Sequence, residues 1–313
     1  MSKLQTLLQQ HSKINALDIE IIVAHVLKKP RAFVLAHSDY QLTQAQEKNI
    51  RALCKRRQKG EPIAYLTGHK EFFGLDFLVD KRVLVPRPET ELLVEEAIDR
   101  INNEQLTINK RQMVLIDVGA GSGCVPISII KTLRDSSAAP LRGFACLPVG
   151  MAQNDNVAIV IDISKPALAV AKKNAKKHGV KIKFLHGNLL SPILKNYSLL
   201  LTPYSLLVIT ANLPYGWKEW KNNCSMETRG LQFEPPQALF TGKQGLQLYE
   251  DLFKQTQSLL LLNPYSLILL IEYDPRQTTL LKKLIKKYLP EASIEIKKDL
   301  AGRDRVATIN IKS

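Results

Sequence analysis

The sequence predicts an α/β protein, in which a doubly wound and mainly parallel sheet follows a small helical domain. Two patterns support this: short apolar segments alternate with helical patterns after Pro86, and apolar residues recur three and four positions apart before Lys59. Hydrophobic residues make up 45% of the 313 residues and charged residues 23%, which is typical of globular proteins. The chain is therefore long and apolar enough to bury a core.

The N-terminal segment reads as helical. The segments IEIIVAHVL and TQAQEKNIRALCKRR place polar residues between regularly spaced apolar ones. Beyond Glu61-Pro62 the pattern changes to EFFGLDFLVDKRVLV, whose aromatic and β-branched residues are interrupted by Gly74 and Asp80 and indicate a hairpin. We therefore predict a helical domain over 1–72, a β-hairpin linker over 73–85, and a Rossmann-like domain over 86–313.

Strands and helices alternate in the rest of the chain. After the helical pattern ETELLVEEAIDRI, the predicted strands are MVLIDV, VAIVIDI, IKFLHG, LLVITAN and SLILLIEY, with helices such as VPISIIKTL and ALAVAKKNAKKHG between them. The final segments SIEIKKD and RVATINI predict an antiparallel pair at one end of the sheet. Residues 134–156 show little periodicity and include many small residues, and we interpret them as an inserted loop.

Charge and cysteine content limit the setting. The 44 Lys and Arg residues exceed the 29 Asp and Glu residues by 15, which favours either polyanionic partners or simple solubility. The four cysteines are far apart and form neither a zinc motif nor a disulfide framework. Because we find neither a signal peptide nor a membrane-spanning segment, we expect a cytoplasmic protein with no metal site and no membrane association.

A glycine-rich loop follows the strand MVLIDV and leads directly into a helix. Its G-x-G-x-G spacing after an acid differs from the G-x-G-x-x-G that wraps a pyrophosphate. The spacing suits a cofactor without phosphates, such as S-adenosylmethionine, and a turn that binds no ligand is the alternative. The predicted cofactor-binding residues are Gly119, Ala120, Gly121, Ser122 and Gly123.

The next two strands end in further candidate cofactor ligands. Asp162 ends VAIVIDI, where an acid can accept hydrogen bonds from both ribose hydroxyls; the alternative is a residue that only starts the following helix. Asn188 could bond the adenine edge through its donor and its acceptor, with Leu189 as an apolar lid. A Gly-Asn turn is also a common connector.

The strand LLVITA leads into Asn212-Leu213-Pro214-Tyr215, which we call the tetrapeptide loop. The Asn212 side-chain carbonyl and the Leu213 backbone carbonyl could each accept a hydrogen from a planar NH2 group, while Tyr215 stacks on its plane. We predict Asn212 and Tyr215 as catalytic, all four residues, Pro214 included, as substrate-binding, and Asn212 as a cofactor contact too. A turn with a packed tyrosine is the alternative.

Together these residues resemble the HemK-type (PrmC) release-factor glutamine methyltransferases. The resemblance covers nearly the whole chain and includes Pro86-Arg87-Pro88-Glu89-Thr90-Glu91, Phe233-Glu234-Pro235 and the run from Asp299 to Arg305. It implies a helical domain that docks a class I peptide-chain release factor and a catalytic domain that carries S-adenosylmethionine. The implied reaction methylates the glutamine of the Gly-Gly-Gln loop to N(5)-methylglutamine.

Several features depart from this family. Its signature is Asn-Pro-Pro-Tyr, whereas this chain has Leu213 at the second position, so the φ restraint of proline is lost. The loop is also similar to that of rRNA adenine dimethyltransferases, and Asn263-Pro264-Tyr265-Ser266 lacks the glycine usual after that proline. Alternative functions are therefore methylation of a ribosomal-protein glutamine or an rRNA adenine, or ribosome binding by a catalytically weak homologue.

Four acidic or basic side chains stay open in their role. Arg87, Glu89 and Glu91 either line the site or cap a helix, whose first turn favours acids. Glu272 ends a strand and is either near the site or a surface acid. We further expect a monomer, with ribosome or RNA proximity left open by the positive charge.

Overall fold

The protein's architecture is described from a computed structural model, which covers residues 4, 7, 14–107, 113–135, 157–196, 206–217, 228–262 and 266–311. Residues 136–156 of the predicted inserted loop and residues 263–265 lie outside these ranges. Within them, no helix combines the length and apolar character that crossing a bilayer requires.

The N-terminal part is helical, as predicted. Its helices are α1 (Ala16–Leu27), α2 (Arg31–Ala36), α3 (Gln44–Gln58) and α4 (Ile63–Thr67). Helix α3 begins with a capping box, because the Thr43 hydroxyl accepts the Gln46 N–H and the Gln46 side chain accepts the Thr43 N–H. A cluster of buried apolar side chains, including Ile22, Val23 and Ile50, packs these helices together.

The predicted hairpin follows directly. It consists of β1 (His69–Phe72) and β2 (Leu75–Leu78), paired antiparallel. Its turn has positive φ at Phe73 (51°) and Gly74 (70°), which is the geometry of a tight two-residue connection. The boundary expected between residues 72 and 73 falls at this turn, and the division of the chain into domains stays a prediction.

The remaining elements form one sheet with helices on both faces. The helices are α5 (Glu91–Thr107), α6 (Cys124–Asp135), α7 (Lys165–Lys177), α8 (Ser191–Lys195), α9 (Thr228–Leu231), α10 (Gly242–Gly245), α11 (Gln247–Leu262) and α12 (Thr278–Tyr288). The strands are β3 (Met113–Val118), β4 (Val157–Asp162), β5 (Lys183–His186), β6 (Leu206–Ala211), β7 (Ser266–Glu272), β8 (Ser293–Lys298) and β9 (Asp304–Ile311). This confirms the predicted α/β class.

The strand order is β5-β4-β3-β6-β7-β9-β8. Strands β3 to β7 pair in parallel, and β9 runs antiparallel between β7 and β8, which confirms the predicted final pair. The chain moves outward from β3 to β5 and then returns to place β6 on the other side of β3. The topological switch point therefore lies between the carboxyl ends of β3 and β6, where open α/β sheets bind ligands.

A buried asparagine connects the hairpin to this sheet. Asn174 of α7 has no solvent exposure, and its side-chain amide bonds both the N–H (2.8 Å) and the C=O (2.9 Å) of Leu78. The same amide nitrogen donates to the Ser122 carbonyl at 2.8 Å. One side chain thus fixes the hairpin against the loop that follows β3.

We expect Asn174→Ala to lower the free energy of unfolding by about 3 kcal/mol, because three hydrogen bonds are lost and their backbone partners are left unpaired. Urea unfolding would measure the change. The matched control is Asn103→Ala, which removes an exposed asparagine from α5 and should change stability by about 0.5 kcal/mol or less. Equal losses in the two variants would contradict this role for Asn174.

Candidate functional site

Two loops meet at the switch point. Val118, the last residue of β3, pairs with Ala211, the last residue of β6, so the glycine loop and the tetrapeptide loop leave neighbouring strands side by side. A Cβ built on Gly119 would lie 3.1 Å from Leu213 Cδ2 and 3.7 Å from the Asn212 carbonyl oxygen. Glycine is therefore needed at 119 for the two loops to approach each other.

The glycine loop presents backbone to its surroundings. Gly119, Gly121 and Gly123 have φ of 86°, 51° and 79°, values that glycine adopts without strain. A Cβ on Gly123 would lie 3.2 Å from Ala171 on α7, whereas one on Gly121 would meet nothing within 4 Å. The side chains of Ala120 and Ser122 are buried, so the open side of the loop offers main chain only.

Asp162 lies against this loop. Its Oδ2 accepts the Gly121 N–H at 3.0 Å and its Oδ1 accepts the Ser164 N–H at 2.7 Å. Helix α7 is capped by Ser164 rather than by Asp162, so the alternative role as a helix-starting residue falls to Ser164. Burial raises the pKa of the Asp162 carboxyl, and the two backbone N–H groups oppose that rise. Each oxygen keeps a second lone pair for a ligand hydroxyl.

The third predicted cofactor segment is less defined. Asn188 is exposed, and its backbone carbonyl accepts the Ser191 N–H at 3.0 Å. Leu189 has φ of 50° and is only 5% exposed, with its side chain in the core beside the sheet. The adenine-binding roles of these two residues stay predictions. Ile163, beside Asp162, is 62% exposed and was not among the predicted residues.

The Asn212 side chain has a fixed orientation. Its Nδ2 donates to Thr90 Oγ1 and to Glu272 Oε2, each at 3.0 Å. Both amide hydrogens are therefore used, and no donor within the described ranges bonds Oδ1. Because an ionised carboxylate only accepts, the amide nitrogen turns toward Glu272 and the oxygen points away. The Asn212 Oδ1 is thus left as an acceptor for a ligand.

Glu272 organises this corner of the site. It is fully buried at the end of β7, and its Oε1 also accepts the Tyr215 hydroxyl hydrogen at 3.1 Å. Burial raises the pKa of the Glu272 carboxyl, while a hydrogen bond from Thr90 and the charge of Arg305 oppose that rise. Its sequence signal was the same as that of Asp162, namely an acid at the end of an apolar parallel strand. The sequence did not reveal its partners, because Tyr215 and Asn212 are 57 and 60 residues away.

The charged side chains of residues 86–91 bond mainly to parts of the chain outside the tetrapeptide loop. Arg87 pairs with the buried Glu234 at 2.5 Å, and Glu91 accepts the Phe73 N–H at 2.9 Å. Glu89 is exposed. The residue that reaches the site is Thr90, through its contacts with Asn212 and Glu272, and sequence reasoning gave it no role. Arg87 is the N-cap residue of the short 3-10 helix Pro88–Thr90, without a side-chain cap bond, and Glu89 and Glu91 lie in the first turns of this helix and of α5, as the helix-capping alternative expects. Neither Arg87 nor Glu91 bonds the tetrapeptide loop in the described structure.

The other residues of the tetrapeptide loop are held by their backbone. The Tyr215 carbonyl accepts from Gln277 Nε2 at 3.0 Å, and a Cβ on Gly245 would lie 2.0 Å from that carbonyl oxygen. The Leu213 N–H donates to the Tyr249 hydroxyl at 3.3 Å. Pro214 is half-buried between them. The Leu213 side chain is only 4% exposed, so the loop is packed as well as bonded.

Asp117 is a second buried acid at the switch point. It is the penultimate residue of β3 and accepts the Thr210 hydroxyl hydrogen at 2.7 Å. Burial raises the pKa of its carboxyl to about 7, with the Thr210 hydrogen bond opposing and the Asp162 charge adding to the rise. The proton is therefore bound more tightly in the folded protein than in the unfolded chain.

Comparison with known proteins gives consistent matches. Residues 2–68 match the family model described as the PrmC N-terminal domain. The chain is 30% identical to the release factor glutamine methyltransferase of Bacillus cereus, over 92% of this chain and 89% of the relative. It is 32% identical to the enzyme of the same name from Nitratidesulfovibrio vulgaris, over 92% and 86%.

Among solved structures, the fold is similar to the human METTL16 catalytic domain, which was solved with an RNA hairpin. The TM-score is 0.51 with 14% identity, and the match covers 77% of each chain. At that identity the similarity concerns the fold alone.

We expect Asp117→Asn to become more stable relative to the unmodified protein as the pH rises from 5 to 8. A carboxyl whose pKa is raised by folding contributes stability at low pH that is lost as the pH rises through the folded pKa of about 7. The difference should grow by at most about 1.4 kcal/mol per pH unit. Urea unfolding at pH 5, 6, 7 and 8 measures it, with Asp99→Asn, an exposed acid on α5, as control. A difference that shrinks with pH would contradict the assignment.

Proposed function

This chain belongs to the release factor glutamine methyltransferase family, and we propose that it methylates the side-chain amide nitrogen of the glutamine in the Gly-Gly-Gln loop of class I peptide-chain release factors. The product is N(5)-methylglutamine and the cofactor is S-adenosylmethionine. The observation that carries the proposal is the orientation of the Asn212 amide by Glu272 and Thr90.

The tetrapeptide loop suits a primary amide as substrate. A glutamine NH2 group has two hydrogens in one plane; one is donated to Asn212 Oδ1 and the other to the Leu213 backbone carbonyl. The Tyr215 ring lies against the face of that plane, and its hydroxyl is fixed by Glu272. These contacts orient the nitrogen in one direction, so the orientational entropy that a weak nucleophile would lose in the transition state is lost already on binding.

The cofactor side fits S-adenosylmethionine. That cofactor supplies a methyl group on a positively charged sulfur. Asp162 would accept the ribose hydroxyls, the open face of Gly121 admits a ligand close to the backbone, and the exposed Ile163 side chain gives an apolar surface for the adenine ring. Gly119 places no side chain between the glycine loop and the tetrapeptide loop, where a Cβ would lie 3.1 Å from Leu213 Cδ2.

The transfer needs no strong base. Bound S-adenosylmethionine would supply the methyl group, and Asn212 Oδ1 and the Leu213 carbonyl would hold the substrate nitrogen that takes it up. The nitrogen then carries an extra proton, which is acidic enough to leave to water. Asn212 and the Leu213 carbonyl keep hydrogen bonds to the nitrogen as positive charge develops there, so they stabilise the transition state more than the ground state.

An rRNA adenine is the less supported substrate. Its exocyclic amine has the same shape as an amide NH2, but the relatives at 30–32% identity are named release factor glutamine methyltransferases. The side chains that bond the tetrapeptide loop are neutral or acidic, namely Thr90, Tyr249, Glu272 and Gln277. The net charge of +15 is therefore not evidence for RNA at this site.

Two further parts of the proposal concern the setting. We infer a cytoplasmic monomer, in keeping with the buried free thiols of Cys54 and Cys124, which persist best under reducing conditions. The net charge of +15 would also favour binding to the ribosome, which carries negatively charged RNA. Light scattering of the purified protein and ribosome sedimentation would test these two points.

We expect Asn212→Ala to lower kcat by about 100-fold, since a group that orients the nucleophile and accepts its hydrogen is lost. The KM for cofactor should rise by no more than about threefold, because Asn212 is one of several predicted cofactor contacts and the glycine loop and Asp162 are untouched. Mass spectrometry of a purified class I release factor would count one added methyl group on the Gly-Gly-Gln glutamine.

Asn103→Ala is the control and should keep full turnover. Full turnover by Asn212→Ala would contradict the proposal that Asn212 binds and orients the substrate amide. If the unmodified enzyme added no methyl group to the release factor at saturating cofactor, the proposed substrate would be wrong; transfer of labelled methyl to rRNA would favour the adenine alternative.

We expect Asp162→Ala to weaken S-adenosylmethionine binding by at least about tenfold, the loss typical of a charge-assisted hydrogen bond. Calorimetric titration would measure the Kd. Asp99→Ala removes an exposed acid of α5 that is not among the predicted cofactor ligands, and should bind as the unmodified protein does. Equal affinities for all three proteins would show that Asp162 does not hold the ribose.

A further inference from the structure

We propose that Tyr249 is a positioning residue for the tetrapeptide loop, which restrains Leu213 where the related family has proline. This inference rests on the proposed function, because the orientation of the Leu213 carbonyl affects the reaction only if the tetrapeptide loop binds a substrate amide. It assigns to a residue of α11, outside the loop, the task that the proline ring performs elsewhere.

The geometry around the Tyr249 hydroxyl is specific. Tyr249 is fully buried, and its hydroxyl donates to the backbone carbonyl of Glu272. A hydroxyl has one hydrogen and two lone pairs, so the same oxygen is left to accept the Leu213 N–H at 3.3 Å. The Leu213 carbonyl lies 3.4 Å from the hydroxyl and is the more distant acceptor.

This hydrogen bond requires a residue other than proline. Proline has no N–H, and its ring fixes φ near −65° without help. Leucine has a rotatable φ and a buried N–H that needs an acceptor. Tyr249 meets both needs, because the bond satisfies the donor and limits rotation about the N–Cα bond of Leu213.

The position of Tyr249 is itself well determined. Helix α11 begins two residues after Gly245, and the preceding segment α10 is a turn rather than a regular helix, with positive φ at Lys243 (50°), Gln244 (54°) and Gly245 (82°). Gln277 ties this turn to the loop, since its Nε2 donates to the carbonyls of both Gln244 (2.7 Å) and Tyr215 (3.0 Å). The hydroxyl is thus fixed relative to the loop it restrains.

The consequence falls on the Leu213 carbonyl. That oxygen is the second acceptor for the substrate amide, and its direction depends on the backbone torsions on either side of Leu213. The Leu213 side chain packs toward Gly119, so it can hold the residue in place, but it does not fix the plane of its peptide groups. Loss of the Tyr249 hydroxyl should therefore reduce kcat and leave cofactor binding unchanged.

A double-mutant cycle tests the proposal. Tyr249→Phe should lower kcat by about tenfold, the effect of leaving one buried donor unpaired, with the KM for cofactor within about twofold. Adding Leu213→Pro removes the unpaired N–H and restores the φ restraint, so Tyr249→Phe should cost less than about threefold in that background. Tyr273→Phe removes another buried tyrosine hydroxyl, which contacts Thr278 at 3.4 Å, and is the control.

Multiplicative losses in the cycle would overturn the proposal, because they would show that Tyr249 acts independently of Leu213. Thermal unfolding of each variant separates this result from a general loss of folding. If the unmodified enzyme is inactive, the proposed substrate is wrong. The bond between Tyr249 and Leu213 can then still be tested by a measurement that does not depend on activity.

Hydrogen exchange of the Leu213 amide is that measurement. In protein labelled with 15N-leucine, the Leu213 N–H should lose about tenfold or more of its protection in Tyr249→Phe. The Leu190 N–H, bonded to the Gln255 side chain at 2.7 Å, should keep its protection. Unchanged protection at Leu213 would overturn the proposal whatever the activity.

Discussion

The buried carboxylate of Glu272 is the constraint on which the candidate site depends. An asparagine amide can face either way, and its two orientations differ only in which atom meets which neighbour. Beside an acceptor-only carboxylate the nitrogen must turn inward, so the oxygen of Asn212 faces the place where a substrate amide would arrive. Burying an acid costs free energy, and the hydrogen bonds from Asn212, Tyr215 and Thr90 offset that cost.

The sheet sets the distance between the two halves of the reaction. Strands β3 and β6 are hydrogen-bonded neighbours that end in register at Val118 and Ala211, about 4.8 Å apart as in any sheet. Loops that start one residue later cannot be far from each other. The glycine at 119 then removes the last obstacle between them, so the fold brings a donor and an acceptor of a methyl group together through ordinary strand pairing.

The features that depend on residues close together in sequence could be predicted from the sequence pattern. The sheet strands are buried apolar runs, the glycine loop has its own spacing, and the hairpin follows from alternating aromatic residues; all of these were predicted. Thr90, Glu272 and Tyr249 could not be predicted as partners of the tetrapeptide loop, because they lie 122, 60 and 36 residues from their partners. The hairpin begins at His69, before the expected linker, because Gly68 ends α4 in the left-handed conformation.

The hydrogen bonds between Asn174 and Leu78 also affect the order in which the nascent chain can fold. A nascent chain grows at about 5–20 residues per second, so the 96 residues that separate these partners take about 5–20 s to make. During that interval the N-terminal helices and the hairpin are complete, but the side chain that seats the hairpin does not yet exist. The hairpin therefore reaches its final place only after β3, β4 and most of α7 have been synthesised.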